Sequence, residues 1–153
     1  MACILLIQVM ARLHIILVDD DPDDCLILSH IVKEILPGCE LTCFDQCFSF
    51  TTYLESLNSD KNACTSPDLI LLDLNMPVTT GQECLKKIRK NNICTNVPVI
   101  IYSTAYRADI VEECYRIGAN SYVVKPSEIY KLKDMLRSVV ERFVYVNKSN
   151  NHL

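Results

Sequence analysis

Hydrophobic positions along this chain come in two textures that alternate from one end to the other. Short, unbroken apolar runs predict strands buried on both faces, as in a parallel sheet covered by helices. Between them, apolar residues recur every three or four positions, which predicts the covering amphipathic helices. The first run is His14–Val18, leading into Asp19-Asp20-Asp21. Asp21-Pro22-Asp23 then opens a helix, with proline at an early position and acids at the positive end of its dipole. Its apolar face reads Cys25, Leu26, Leu28, Ile31, Val32 and Ile35, and Pro37-Gly38 closes it. A second strand at Glu40–Phe44 is followed by a helix over 48–57 and a polar loop over 58–66. The third strand, 68–72, reads Asp-Leu-Ile-Leu-Leu and runs into Asp73. A helix starting near Gly81 turns Cys84, Leu85 and Ile88 inward and Lys86, Lys87, Arg89 and Lys90 outward. A fourth strand over 97–102 precedes a helix over Ala108–Ile117, which Gly118 suits as a left-handed cap. Ser121–Val124 is the fifth strand and 128–145 a long last helix. Strand and helix signals thus repeat roughly every 25 residues, the spacing of compact βα units. The expectation is one α/β domain, a doubly wound five-stranded parallel sheet with five helices in three layers.

Composition narrows the function classes. The 153 residues suffice for one domain with a real core, and 50% of them are hydrophobic, which excludes a disordered chain. A net charge of −4, without a dense Lys/Arg stripe, argues against a nucleic-acid partner. With three glycines and no phosphate-cradling glycine loop, nucleotide binding is unsupported. The nine cysteines are odd in number and include no Cys-x-x-Cys pair, so they read as structural or incidental and fit a reducing cytoplasm. Cys25, Cys84 and Cys114 fall at apolar helix positions, where cysteine acts as a small hydrophobe. Cys39, Cys43 and Cys47 recur every four residues, but the strand-like alternation over 40–45 keeps the three from sharing a face. Residues 1–11 are apolar but lack a basic start and a cleavage signal, and are too short to span a membrane. They are expected to form a peripheral extension, with the domain at 12–147 and a short tail at 148–153.

The most informative chemistry lies where two buried strands both end in acids. Asp19-Asp20 after the first strand and Asp73 after the third would point into the crevice where doubly wound folds bind ligands. Converging carboxylates of that kind require a cation. Each residue also has a plainer reading: Asp73 as a loop-capping acid, Ser103 as a strand-ending hydroxyl, Tyr122 as a core aromatic, Lys125-Pro126 as a strand exit. Asp23 and Asp24 read as the solvated acidic start of a helix, and Asp21 is open between capping and the crevice.

Taken in order, Asp19-Asp20, Asp73 with Met76-Pro77 and Gly81, Ser103, Tyr122 and Lys125-Pro126 match a known pattern. Over residues 13–143 the chain resembles the receiver domains of two-component response regulators, with their flavodoxin-like fold. The resemblance implies that Asp73 is the phosphoacceptor and that Asp19, Asp20, Asp73 and the main-chain carbonyl of Asn75 hold Mg2+. It implies that Ser103 and Lys125 contact the phosphoryl oxygens, that Tyr122 takes part in the switch, and that Pro77, Gly81 and Pro126 support the turns. A cis bond before Pro126 would aim Lys125 into the crevice. Ser103 in place of threonine, and Thr80 where an acid or amide is frequent, are mild departures.

The chemistry is coherent in itself. A carboxylate can attack a phosphoryl group to give an acyl phosphate, and two anionic partners need a hard cation with oxygen ligands between them. The expected partners are a histidine kinase or histidine phosphotransfer protein upstream and an effector protein downstream, with no membrane partner. Such a chain would be no enzyme beyond self-catalysed phosphoryl transfer and slow autodephosphorylation. With little sequence after residue 147, it is expected to be a stand-alone regulator acting through another protein. A haloacid-dehalogenase phosphatase would want its Asp-x-Asp on the first strand, and a flavodoxin would need a phosphate loop where Val-Asp-Asp-Asp-Pro stands. The remaining alternative is a receiver fold used only as a protein-binding module without phosphorylation.

Overall fold

The computed structural model describes residues 13–59, 66–92 and 94–146, so the expected extension at 1–11 and tail at 148–153 lie outside the described residues. The apolar runs become β1 (His14–Val18), β2 (Glu40–Phe44), β3 (Leu69–Leu72), β4 (Val99–Ser103) and β5 (Ser121–Val124). All pair in parallel, in the order β2-β1-β3-β4-β5. The helices are α1 (Pro22–Ile35), α2 (Cys47–Ser59), α3 (Gly81–Lys90), α4 (Ala108–Ile117) and α5 (Ile129–Val140). The expected last helix divides in two, because α5 widens into a π-helical stretch at Glu141–Tyr145. β4 starts later than expected: Pro98 has no N–H for the ladder, although its carbonyl accepts from Ile70 N at 2.9 Å.

Alternation along the strands sorts the core into two halves. Ile16, Val18, Ile70, Leu72, Val99 and Ile101 face α2, α3 and α4 through Phe50, Leu54, Leu85, Ile88 and Cys114. Ile15, Leu17, Leu69, Leu71, Ile100 and Tyr102 face α1 and α5 through Leu28, Ile31, Val32, Leu132, Leu136 and Val140. The three layers are therefore as expected, and β3, the central strand, is fully buried on both faces.

Three side chains depart from the sequence reading. Leu26 is 58% exposed, because two residues before Leu28 lies on the far side of the helix from the Leu28–Ile31–Val32 stripe. Arg89 does not point outward. Its guanidinium folds back to donate to the carbonyls of Gly118 (2.9 Å), Cys94 (3.0 Å) and Val97 (2.9 Å) and to Asn120 Oδ1 (2.7 Å). Cys25 is no mere small hydrophobe: it is bonded to Cys43, across a sequence separation of 18. That pairing arises where α1 packs on β2, a tertiary adjacency that cysteine spacing does not reveal. Cys39 and Cys43 pack against the same half of the core, whereas Cys47 lies in the other.

Candidate functional site

The strand order reverses between β1 and β3, so their carboxyl ends flank an open crevice. The ladders carry on into the acids: Asp19 N donates to Phe44 O and Asp73 N to Val18 O, both at 2.9 Å. The backbone thus sets two carboxylates side by side, each only 3% exposed, with the exposed Asp20 next to them. One carboxylate oxygen from each of Asp19, Asp20 and Asp73 lies within 4.8 Å of the others. The crevice, about 410 Å3, is also lined by Asp21, Pro22, Asp24, Asn75, Thr104 and Lys125.

Local structure fixes these groups. Asp21, which the sequence left open, caps α1 by accepting from Asp23 N at 2.9 Å, while its own N–H donates to Asp19 Oδ1 at 3.0 Å. Asp73 Oδ2 accepts from Asn75 N at 3.2 Å. Beyond it, Pro77 O accepts from Thr79 N at 2.8 Å in a tight turn that leaves Val78 at φ 71° with its side chain in solvent. Thr80 earns its place as the cap of α3, in a reciprocal capping box with Glu83. Gly81 has no alternative, since a Cβ there would collide with the carbonyl of Asp73 and the backbone of Leu74.

On the other side, Lys125 N donates to Ser103 O at 2.9 Å, and the side chain turns into the crevice. Its Nζ lies 2.6 Å from Asp19 Oδ2, 2.6 Å from Asp24 Oδ2 and 3.8 Å from Asp73 Oδ1. The cis bond before Pro126 is not found: no described peptide bond is cis. Lys125 reaches the acids without it. Ser103 is fully buried and its Oγ accepts from Asn75 Nδ2 at 3.3 Å; the same amide lies 3.4 Å from Thr104 Oγ1. Tyr122 pairs with Ile101 in the ladder, which puts its ring on the Ser103 side of the sheet. Its hydroxyl donates to Ala105 O at 2.5 Å and its ring meets Tyr106 edge-on. The structure therefore gathers Asp19, Asp20, Asp73, Asn75 and Lys125 around the crevice, with Ser103 hydrogen-bonded at its edge and Tyr122 further out. Sequence reasoning missed two crevice residues, Asp24 and Thr104. By sequence Asp24 reads as part of the solvated helix start, and its only signal is its place in the first turn of α1.

Electrostatics follow from the crowding. Burial pushes Asp19 up to about 6, against the hydrogen bond from Lys125 and the backbone bond from Asp21. Burial likewise raises Asp73, partly offset by the charge of Lys125. For Lys125, burial opposes the charge, but hydrogen bonds to Asp19 and Asp24 outweigh it and raise its pKa above the usual lysine range. One group is left wanting: Asp73 Oδ1 is buried with no hydrogen-bond partner. A hard divalent ion fits this donor set, because every candidate ligand is oxygen and one carboxylate oxygen of Asp73, a member of the cluster, has no hydrogen-bond partner.

Most of the chain is similar to known proteins. The chain is 31% identical over 144 residues to two-component response regulator ARR3 of Arabidopsis thaliana, covering 92% of this chain and 61% of that protein. It thus spans less than two thirds of that relative's length. It is 28% identical to response regulator Rcp1 of a Synechocystis strain, over 82% of this chain and 84% of that one. The Mn2+-bound form of Rcp1 superposes with a TM-score of 0.73 at 26% identity, covering 88% of this chain and 96% of that one. RPA3017, a response regulator in red light signalling of R. palustris, superposes at 0.76 with 26% identity, covering 88% and 95%. No helix among the described residues is long and apolar enough to cross a membrane. Residues 15–137 match the model of the response regulator receiver domain, and the chain belongs to that family.

Proposed function

We propose that this receiver domain accepts a phosphoryl group on Asp73 from the phosphohistidine of a histidine kinase or phosphotransfer protein, with Mg2+ bound, and then signals through altered protein contacts. The observation that carries this reading is Asp73 Oδ1, buried, without a hydrogen-bond partner and 3.8 Å from a lysine ammonium. The backbone holds this carboxylate through Oδ2, which leaves Oδ1 free to attack. Asp73 Oδ forms the new bond to phosphorus as the donor's N–P bond breaks, and the imidazole leaves with its electron pair and takes up a proton. Asp19, Asp20, Asp73 and the Asn75 carbonyl would hold the ion, which when bound offsets the charge of carboxylate and phosphoryl oxygens. Lys125 supplies a point charge to one phosphoryl oxygen and Ser103 a hydroxyl donor to another.

The switch follows from what Ser103 gives up. Its Oγ now accepts from Asn75 Nδ2. A hydroxyl can accept and donate at once, so the change lies in the side-chain rotation that carries its O–H to a phosphoryl oxygen and draws Oγ away from that amide. Tyr122, on the same side of the sheet, would repack in response. The only turnover is self-catalysed transfer and slow hydrolysis, and the kinase partner sets the reaction in the cytoplasm.

The test is labelling with acetyl phosphate, read by intact mass. The wild type should gain one phosphoryl group with magnesium and none in chelator, and Asp73→Asn should gain none. Equal labelling of wild type and mutant would remove Asp73 as acceptor. No labelling under any condition would leave the fold as an unphosphorylated binding module.

A further inference from the structure

We infer that Asp24, on the first turn of α1, is a tether that draws Lys125 away from the phosphoryl group, and so sets how tightly the site holds it. This rests on the acceptor reading of Asp73. A lysine ammonium has three N–H donors. Two are engaged at 2.6 Å, on Asp19 and Asp24, while Asp73 at 3.8 Å lies beyond hydrogen-bond reach. Serving a phosphoryl oxygen on Asp73 requires the ammonium to move toward β3 and loosen at least one of those bonds.

The two holds are not equivalent. Asp19 belongs to the carboxylate cluster suited to a divalent ion, so it gains another partner when the site fills; Asp24 is outside that cluster and does not. Its restraint on Lys125 therefore persists. Asp24 is also held firmly in place. Asp21 caps the helix one turn before it, and Leu28, one turn after it, is buried in the core. With 25% of its side chain exposed, against 9% for Lys125, Asp24 sits at the wet side of the pair, where water can solvate it once Lys125 departs. The tether is thus releasable. It is a positioning residue, acting through Lys125.

The experiment titrates beryllofluoride, in magnesium, into the wild type, Asp24→Asn, Lys125→Met and the double variant, with thermal unfolding confirming that each is folded. Asp24→Ser serves as a second variant should Asp24→Asn not fold. Removing the Asp24 carboxylate should tighten beryllofluoride binding about three- to tenfold, as expected for a partly exposed charged hydrogen bond. In the Lys125→Met background the same substitution should change nothing. Unchanged or weaker binding by Asp24→Asn would overturn the tether. Equal tightening in both backgrounds would overturn it too, since Asp24 would then act by charge on the phosphoryl group alone. Failure of the wild type to take up beryllofluoride at all would instead overturn the acceptor reading, and the tether with it.

Discussion

Two half-buried cations sit at different places in this fold, and their surroundings are opposite. Arg89, on α3, is met by neutral acceptors, the carbonyls of Gly118, Cys94 and Val97 and the amide oxygen of Asn120. Asn120 in turn accepts from Val99 N at 2.9 Å, so one guanidinium joins the end of α3, the loop before β4 and the loop before β5. Lys125 is met by three carboxylates, and one oxygen of the set remains unpartnered. Burial lowers the pKa of Arg89, while the acids raise that of Lys125 despite its burial. The first arrangement is saturated and rigid, suited to a joint. The second has more negative than positive charge and a free acceptor, suited to taking up a cation and an added group. Satisfaction, more than burial, separates a structural charge from a functional one.

Breaking the joint should have the largest effect. Arg89→Met leaves buried acceptors unmet and should cost about 3 kcal/mol or more, lowering Tm by roughly 10 °C. Arg89→Lys should recover little, since one ammonium cannot reproduce the planar fork. Acetyl phosphate labelling of the folded fraction should persist. A stability loss under about 1 kcal/mol would show the joint to be decorative. Lys125→Met should behave in the opposite way. Without magnesium it should lose about 1–2 kcal/mol, because buried Asp19 loses its partner. With magnesium most of that should return, since the more negative crevice binds the ion more tightly. A loss indifferent to magnesium would place Lys125 with Arg89 as a structural cation.

The cation itself gives the next effect. Crowded carboxylates repel one another in the metal-free protein, and magnesium relieves this. At tenfold its dissociation constant the ion should stabilise by about 1.4 kcal/mol, a shift of a few degrees in Tm. Asp20→Ala removes an exposed ligand at little cost to the fold and should abolish most of that shift. The same shift in both proteins would mean that the ion binds elsewhere.

What the sequence revealed and what it hid divide along the same line. All five strands and the end of α4 at Gly118 were legible, because buried runs and breakers act locally. The crevice acids were legible because a buried strand carries its last residue to a fixed place. Arg89 was misread because its row of neighbours, Lys86, Lys87 and Lys90, is outward, and nothing local says that one cation of four turns in. Asp24 does stand in the acidic first turn of α1, as read, but its pairing with Lys125 was hidden for the same reason, since that partner lies 101 residues away. Leu26 failed on a finer point, since an apolar residue near a helix stripe need not lie on it. Backbone placement is written locally. Side-chain partnership across elements is not.

The smallest effect expected is a dependence on pH that also divides the two cations. Asp19 in the folded, metal-free protein is raised to about 6, above its ordinary 3.8, chiefly by burial. For an acid raised by folding, the charged form is the disfavoured one. The penalty is therefore absent below about pH 4, grows as pH rises, and is complete above about pH 6. The share falling between pH 5 and 7 amounts to about 1 kcal/mol lost on raising the pH. Asp73, raised by burial as well, contributes with the same sign in any protein that retains it. Asp19→Asn cannot ionise, so in chelator its stability relative to wild type should improve from pH 5 to pH 7 by about that amount. Urea denaturation of both proteins at the two pH values measures it. Arg89→Met, whose surroundings titrate no acid, should keep the wild-type trend. If Asp19→Asn also follows the wild-type trend, burial of Asp19 is not what destabilises the protein in chelator.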